Sequence, residues 1–322
     1  MCPIRPATLP IRTAHPGGFS FFTAMRYRKP PLSIPKQVTL LESRGLLIPD
    51  HAKASHYLSN ISYYRLRAYT YPFQDNRNPR HPFHAGITFD RVLDNYLFDK
   101  SLRVLVFDAI ERIEIALRTQ IIHQFALSFG SHWHEDPKLY NRVDFFIKDM
   151  GHLDHEIKRS SEVFIKHYFR KYTSPPNPPA WMSLEVTSMG LLSKIYENLK
   201  INPEKKAIAF HFGLYHPFVL ESWMHSFSNL RNICAHHGRL WNRILAQPPK
   251  LPKRTQFAWL ETPNPDIHKL FVPLSCVVYI LNIISPGHHW KDHFKKLLGE
   301  FPTIKTSDMG FPLNWQNEPL WQ

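Results

Sequence analysis

The chain has 322 residues, with 40 Lys and Arg against 26 Asp and Glu, giving a formal net charge of +14. That balance favours a polyanionic partner, nucleic acid first. The three cysteines, Cys2, Cys234 and Cys276, are too few and too scattered for a disulfide framework or a four-cysteine zinc site, and they fit a reducing cytoplasm.

Residues 1–24 carry Arg5, Arg12, four prolines and no acidic residue, and lack the apolar stretch of a secretory signal. They read as a disordered arm, with Met25 before "RYRKPP" as an alternative start. Helical punctuation follows. Ser33 as cap, Pro35 in the first turn and Gly45 as stop bound a first helix. A second begins at Asp50 and carries "HAKASHYLSNISYYRL". After the loop "QDNRNPRHPFHAG", Thr88 opens the strongest signal, with Leu102, Leu105, Val106, Ala109, Ile113, Ala116 and Leu117 recurring at three and four, and the helix runs to about Gly130.

Another helix is expected from His152 to Tyr172, ending at the proline linker "TSPPNPPAW" near 173–180. Beyond it the spacing predicts helices over Leu184 to Leu199, near Glu204, over Pro217 to His237, near Asp266 to Ile284, and over His288 to Leu298. The longest apolar run, Leu270 to Ile284, contains Pro273 and falls short of the roughly 20 residues of a membrane span. No alternating run marks a strand, and no glycine-rich phosphate loop stands out. The expectation is an all-α fold, one domain over 25–315, with 316–322 as a tail.

The stretch "RNICAHHGRLWNR", Arg231 to Arg243, concentrates the chemistry. Leu220, Trp223, Met224, Phe227, Leu230 and Cys234 form an apolar helical stripe, with Arg231 on its edge. A cation there requires a carboxylate, from Glu111, Glu114 or Glu185, or else a phosphate. Asn232 and His236 share a face, whereas Arg231 and His236 diverge by roughly 140° on an intact helix. Either the helix ends early at Gly238 and re-aims the histidines, or a second copy of the chain completes the site. Cutting RNA without a metal needs a group to take the 2′-hydroxyl proton, a group to protonate the leaving oxygen, and a cation for the phosphoryl charge. The spacing alone is unspecific: Arg44 with His51, Arg77 with His84 and Arg118 with His123 repeat it.

The same stretch resembles the signature of the Abi-like proteins of bacterial abortive infection systems, the AbiD/AbiF group, whose core is a divergent HEPN-type helical domain. "KPPLSIPKQVTLLESRGLLIPD", "ASHYLSNISYYRLRAYTYPFQ", "LFDKSLRVLVFDAIERIEIALRTQI" and "PPAWMSLEVTSMGLLSKIYENL" are similar to that family's blocks, in its order, over about Arg26 to Trp315. The resemblance implies a HEPN-like helical bundle with added N- and C-terminal helices. It assigns catalytic roles to Arg231, Asn232 and His236, with His237 as second candidate. It also implies a homodimer with two facing motifs, and a phage-defence endoribonuclease that needs no metal or other cofactor. The alternative is a non-catalytic protein gripping a small structured RNA.

Other clusters read two ways. Glu114 and Arg118 sit at i and i+4, an ordinary helix ion pair or a support beside Arg231. "YYRLRAYTY" interleaves Arg65 and Arg67 with aromatics, as an RNA-stacking surface or as core packing. Arg239 and Arg243, just after the motif, join these as RNA-binding or supporting residues. "HHWKDH" puts His289 and His293 at metal-ligand spacing without a third ligand and reads as an exposed basic helix; Cys234, on the apolar stripe, reads as core.

Overall fold

The computed structural model describes Tyr27 and residues 30–322, so the expected N-terminal arm lies outside the described residues. Among them are twelve α-helices and no strand. The fold is all-α.

The helices follow in chain order. α1 is Ile34–Ser43, α2 His51–Ile61 and α3 Tyr63–Thr70. α4, Phe89–Phe129, has 41 residues and so spans about 60 Å at 1.5 Å per residue. Thr88 caps it by accepting the Arg91 N–H at 3.1 Å, and Gly130, at a φ of 85°, ends it. α5 is Val143–Arg159, α6 Val163–Lys171, α7 Ala180–Ser183, α8 Met189–Asn198 and α9 Pro203–His211. α10 is Pro217–Ala235, α11 Phe271–Ile284 and α12 Trp290–Glu300. α4 is the spine, in contact with α3 and with α7 through α12. One hydrophobic core runs from Val38 in α1 to Trp321, and no helix among the described residues is long and apolar enough to cross a membrane.

Several boundaries depart from the sequence reading, and the helices expected from Leu184 and from near Asp266 start only at Met189 and Phe271. The helix expected from Asp50 through "YYRL" is two, because Ser62 sits at a φ of 71° and its hydroxyl caps α3 by accepting the Arg65 N–H. The helix expected over His152 to Tyr172 begins nine residues earlier and breaks at Ser160. Phe146, Met150, Leu153 and Ile157 already continue its apolar spacing backward. The expected tail at 316–322 is core: Trp321 is fully buried, its Nε1 donates to Ser275 Oγ at 2.9 Å, and it packs edge-on against Trp315. An aromatic residue of that size gains too much from burial to hang free.

Candidate functional site

The C-terminal end of α10 is shaped by a hydrogen-bonded turn. His236 N–H still donates to Asn232 O at 3.0 Å, so His236 keeps its helical azimuth. His237 N–H then donates to Cys234 O at 3.1 Å and Gly238 N–H to Ile233 O at 2.8 Å, the paired bonds of a Schellman cap. The left-handed residue of that cap is His237, at a φ of 55°, a position usually given to glycine. The turn therefore re-aims His237 and leaves His236 on the Asn232 face, diverging from Arg231 as on an intact helix. Asn232, His236 and His237 are all exposed.

Arg231 is half-buried, and its guanidinium lies over the Phe107 ring of α4 at 5.7 Å. Among the described residues it has no ion-pair partner, although Glu111, Glu114 and Glu185 were the carboxylates expected for it. Glu114 and Glu185 instead serve Arg118, at 2.8 and 3.9 Å. Arg118 also donates to Thr187 O at 2.7 Å and is buried. It stands eleven residues beyond Phe107 on α4, roughly 16 Å along the axis, so the Glu114–Arg118 pair braces the α4–α7 side of the fold and does not flank Arg231.

A buried carboxylate fixes the segment after the motif. Asp99 of α4 is fully buried, and one of its oxygens accepts the backbone N–H of Leu240 at 3.0 Å and of Trp241 at 2.5 Å. The other accepts the Tyr69 hydroxyl at 2.5 Å and the Arg103 guanidinium. Arg103 in turn reaches Gly238 O at 3.4 Å. Burial pushes the Asp99 carboxyl up from its ordinary range, and the Arg103 charge, the Tyr69 hydroxyl and the two backbone N–H groups pull it back down. Burial also raises Tyr69, with the Asp99 charge adding to it, so the phenol stays a donor.

The aromatic and basic stretch on α3 meets the motif directly. Arg65 donates to His237 O at 2.8 Å across 172 residues of chain. Arg239 donates to Ala68 O at 2.5 Å, and Arg243 to Arg239 O at 3.1 Å. Burial lowers Arg239, which the Asp99 charge opposes. Arg67 is half-buried and makes no side-chain ion pair among the described residues. The two readings of "YYRLRAYTY" divide by residue: Tyr69 is core, packed edge-on against Tyr96, while Tyr64 is 84% exposed beside Arg65.

The turn thus places three exposed polar side chains and Arg231 at one helix end, with Arg65 bonded to it and Arg239 and Arg243 just beyond it. A family comparison extends this. Residues 56–242 match the Abi-like protein family. The chain belongs to that family. The match starts within α2 and stops one residue after Trp241, so it spans Arg65, Tyr69, Asp99, Arg103, Arg231, Asn232, His236 and His237. No curated protein and no solved structure matches the chain.

Asp99, Arg103 and Phe107, which pack against the segment from Arg231 to Trp241, do not figure in the sequence reading. Their trace is visible in retrospect: Asp99 and Arg103 are an acid and a base at i and i+4 next to the buried Phe98 and Leu102. Cys234 is buried, which pushes its thiol up to about 12 and leaves it unreactive. His289 is exposed and pairs with Asp292 at 3.3 Å. Among the described residues no cluster of three or more His, Cys, Asp or Glu side chains has metal-holding geometry.

Proposed function

We propose that this Abi-like protein is an abortive-infection endoribonuclease of HEPN type that cuts RNA by acid/base chemistry at Arg231, Asn232, His236 and His237. The observation that carries the reading is the state of Arg231. It is a cation at a helix end, seated on an aromatic ring and free of any carboxylate among the described residues, with two exposed imidazoles one turn away. A structural arginine is normally consumed by a partner, as Arg118 and Arg103 are here. One left without a carboxylate is suited to a phosphate.

In the proposed reaction one imidazole takes the 2′-hydroxyl proton, the oxygen attacks the adjacent phosphorus, and a second imidazole protonates the departing 5′-oxygen. Arg231 balances the charge on the phosphoryl oxygens. Because Arg231 and His236 keep divergent azimuths, the reading requires a homodimer in which Arg231 of one chain and His236 of its partner share a phosphate. The net charge of +14 supports RNA as the polyanion.

The test is incubation of the purified protein with end-labelled RNA in EDTA, alone and in extracts of phage-challenged cells. Cleavage to 2′,3′-cyclic phosphate ends, lost in Arg231→Ala and His236→Ala, is expected. RNA that is bound and left intact in both settings would favour the non-catalytic alternative.

A further inference from the structure

A second polar cleft lies away from the motif, between α5, α8 and α10. Its volume is about 410 Å³, large enough for one nucleotide. Asp149 lines it from α5. That residue is only 6% exposed, yet its carboxylate accepts no hydrogen bond and joins no ion pair among the described residues. Lys148 and Lys194 line the same cleft, exposed and likewise without ion pairs. A carboxylate open to the cleft, acted on by the Lys194 and Lys148 charges but in contact with neither, leaves room for a ligand edge that donates to it and accepts from an ammonium group. At the rim the Arg142 guanidinium lies over the Phe145 ring at 4.0 Å, a planar platform of the kind on which bases stack.

Guanine has the matching edge. Its N1–H and exocyclic N2–H lie side by side and fit one carboxylate bidentately, while the adjacent O6 accepts from an ammonium group. Adenine and cytosine offer one exocyclic amine beside a bare ring nitrogen, which the carboxylate would repel, and uracil offers a single N–H between two carbonyls. The cleft is also connected to the motif by a polar stripe. His225, which lines it, shares an azimuth within about 40° with Asn229, Asn232 and His236 along α10, and His225 and His236 are roughly 16 Å apart along the axis.

We propose that this cleft is a guanine subsite, with Asp149 reading the base edge, Lys194 the O6 and the Arg142–Phe145 pair the ring face. The base belongs to a single strand lying along α10 or to a free guanine nucleotide. Its use in choosing where RNA is cut rests on the nuclease reading above; its existence does not.

Calorimetric titration of the full chain with GMP, AMP, CMP and UMP forms one arm, and single-stranded RNA 8-mers with or without one guanine form the other. A guanine preference of about tenfold or more is expected. It should vanish in Asp149→Asn, which turns an amide N–H toward the base, weaken in Lys194→Ala, and persist in Arg231→Ala. Preference for GMP identifies the free nucleotide as a source; preference confined to the 8-mers identifies the strand. Equal binding of all bases in both arms, or a preference that survives Asp149→Asn, overturns the proposal. Phe145→Ala and Lys194→Ala alter exposed side chains and decide the matter if Asp149→Asn fails to fold. A protein that prefers guanine and cuts no RNA sinks the nuclease reading alone; one that cuts RNA and binds all bases equally sinks the subsite alone.

Discussion

The Asp99 carboxylate accepts the backbone N–H of Trp241 at 2.5 Å, joining the first third of α4 to the turn that follows the histidines. The same carboxylate holds Leu240, Tyr69 and Arg103, so one buried group ties α3, α4 and the motif together. Removing it strands a buried guanidinium and two backbone donors. Asp99→Ala is expected to cost about 3–5 kcal/mol, read as a lower midpoint in denaturant unfolding. A loss under roughly 1 kcal/mol would show that the turn is held by something else.

The divergence of Arg231 and His236 makes a prediction about mixed dimers. Arg231→Ala and His236→Ala should each reduce RNA cleavage by roughly 10²- to 10⁴-fold. Co-folding the two variants should restore activity, because one of the two shared sites then has an intact arginine from one chain and an intact histidine from its partner. Continued silence in the mixture, with light scattering showing the dimer, would place both groups in one chain's site.

His237 holds a left-handed backbone at a φ of 55°. Glycine takes that conformation without the Cβ clash, so His237→Gly should leave stability unchanged or raise it by up to about 1 kcal/mol. Thermal unfolding measures this. Any loss of cleavage in a His237→Gly protein at least as stable as the parent then reports chemistry and not folding.

His134 supplies a pH dependence. It is 1% exposed, neither ring nitrogen has a partner among the described residues, and burial, with the neighbouring His132 adding to it, lowers its pKa to about 4 from 6.5. The unfolded chain therefore binds the proton first as pH falls. The stability held by neutral His134 is fully present above about pH 6.5 and is lost as the pH drops towards 4, a swing on the order of 3 kcal/mol. His134→Phe should flatten the unfolding midpoint between pH 7 and 5; an unchanged slope would assign the dependence to other groups.

Much of this molecule was legible in its residues. Thr88, Gly130 and the apolar spacing between them define α4 to within a residue, because caps and periodicity act locally and α4 is long enough to average over exceptions. Ser62 and Ser160 give no break signal in the sequence because a serine is compatible with a helix interior; the breaks lie in the positive φ at Ser62 and the extended backbone at Ser160.

By itself the sequence determined the helical class, the stripe that buries α10 and the identity of the motif residues, since each depends on neighbours within a turn or two. Tertiary structure decided which cations are spent. Arg118 has Glu114 one turn away on its own helix, whereas Arg231 has no acidic residue within a turn on α10; packing then brought Glu185 to Arg118 as well and set Arg231 on Phe107. It also decided that Arg65 and His237, 172 residues apart, share a hydrogen bond, and that Asp99 is the anchor between them. The physical reason is that local pattern reports which face of a helix is buried, whereas the partner of a buried charge is set by which other helix arrives to cover it.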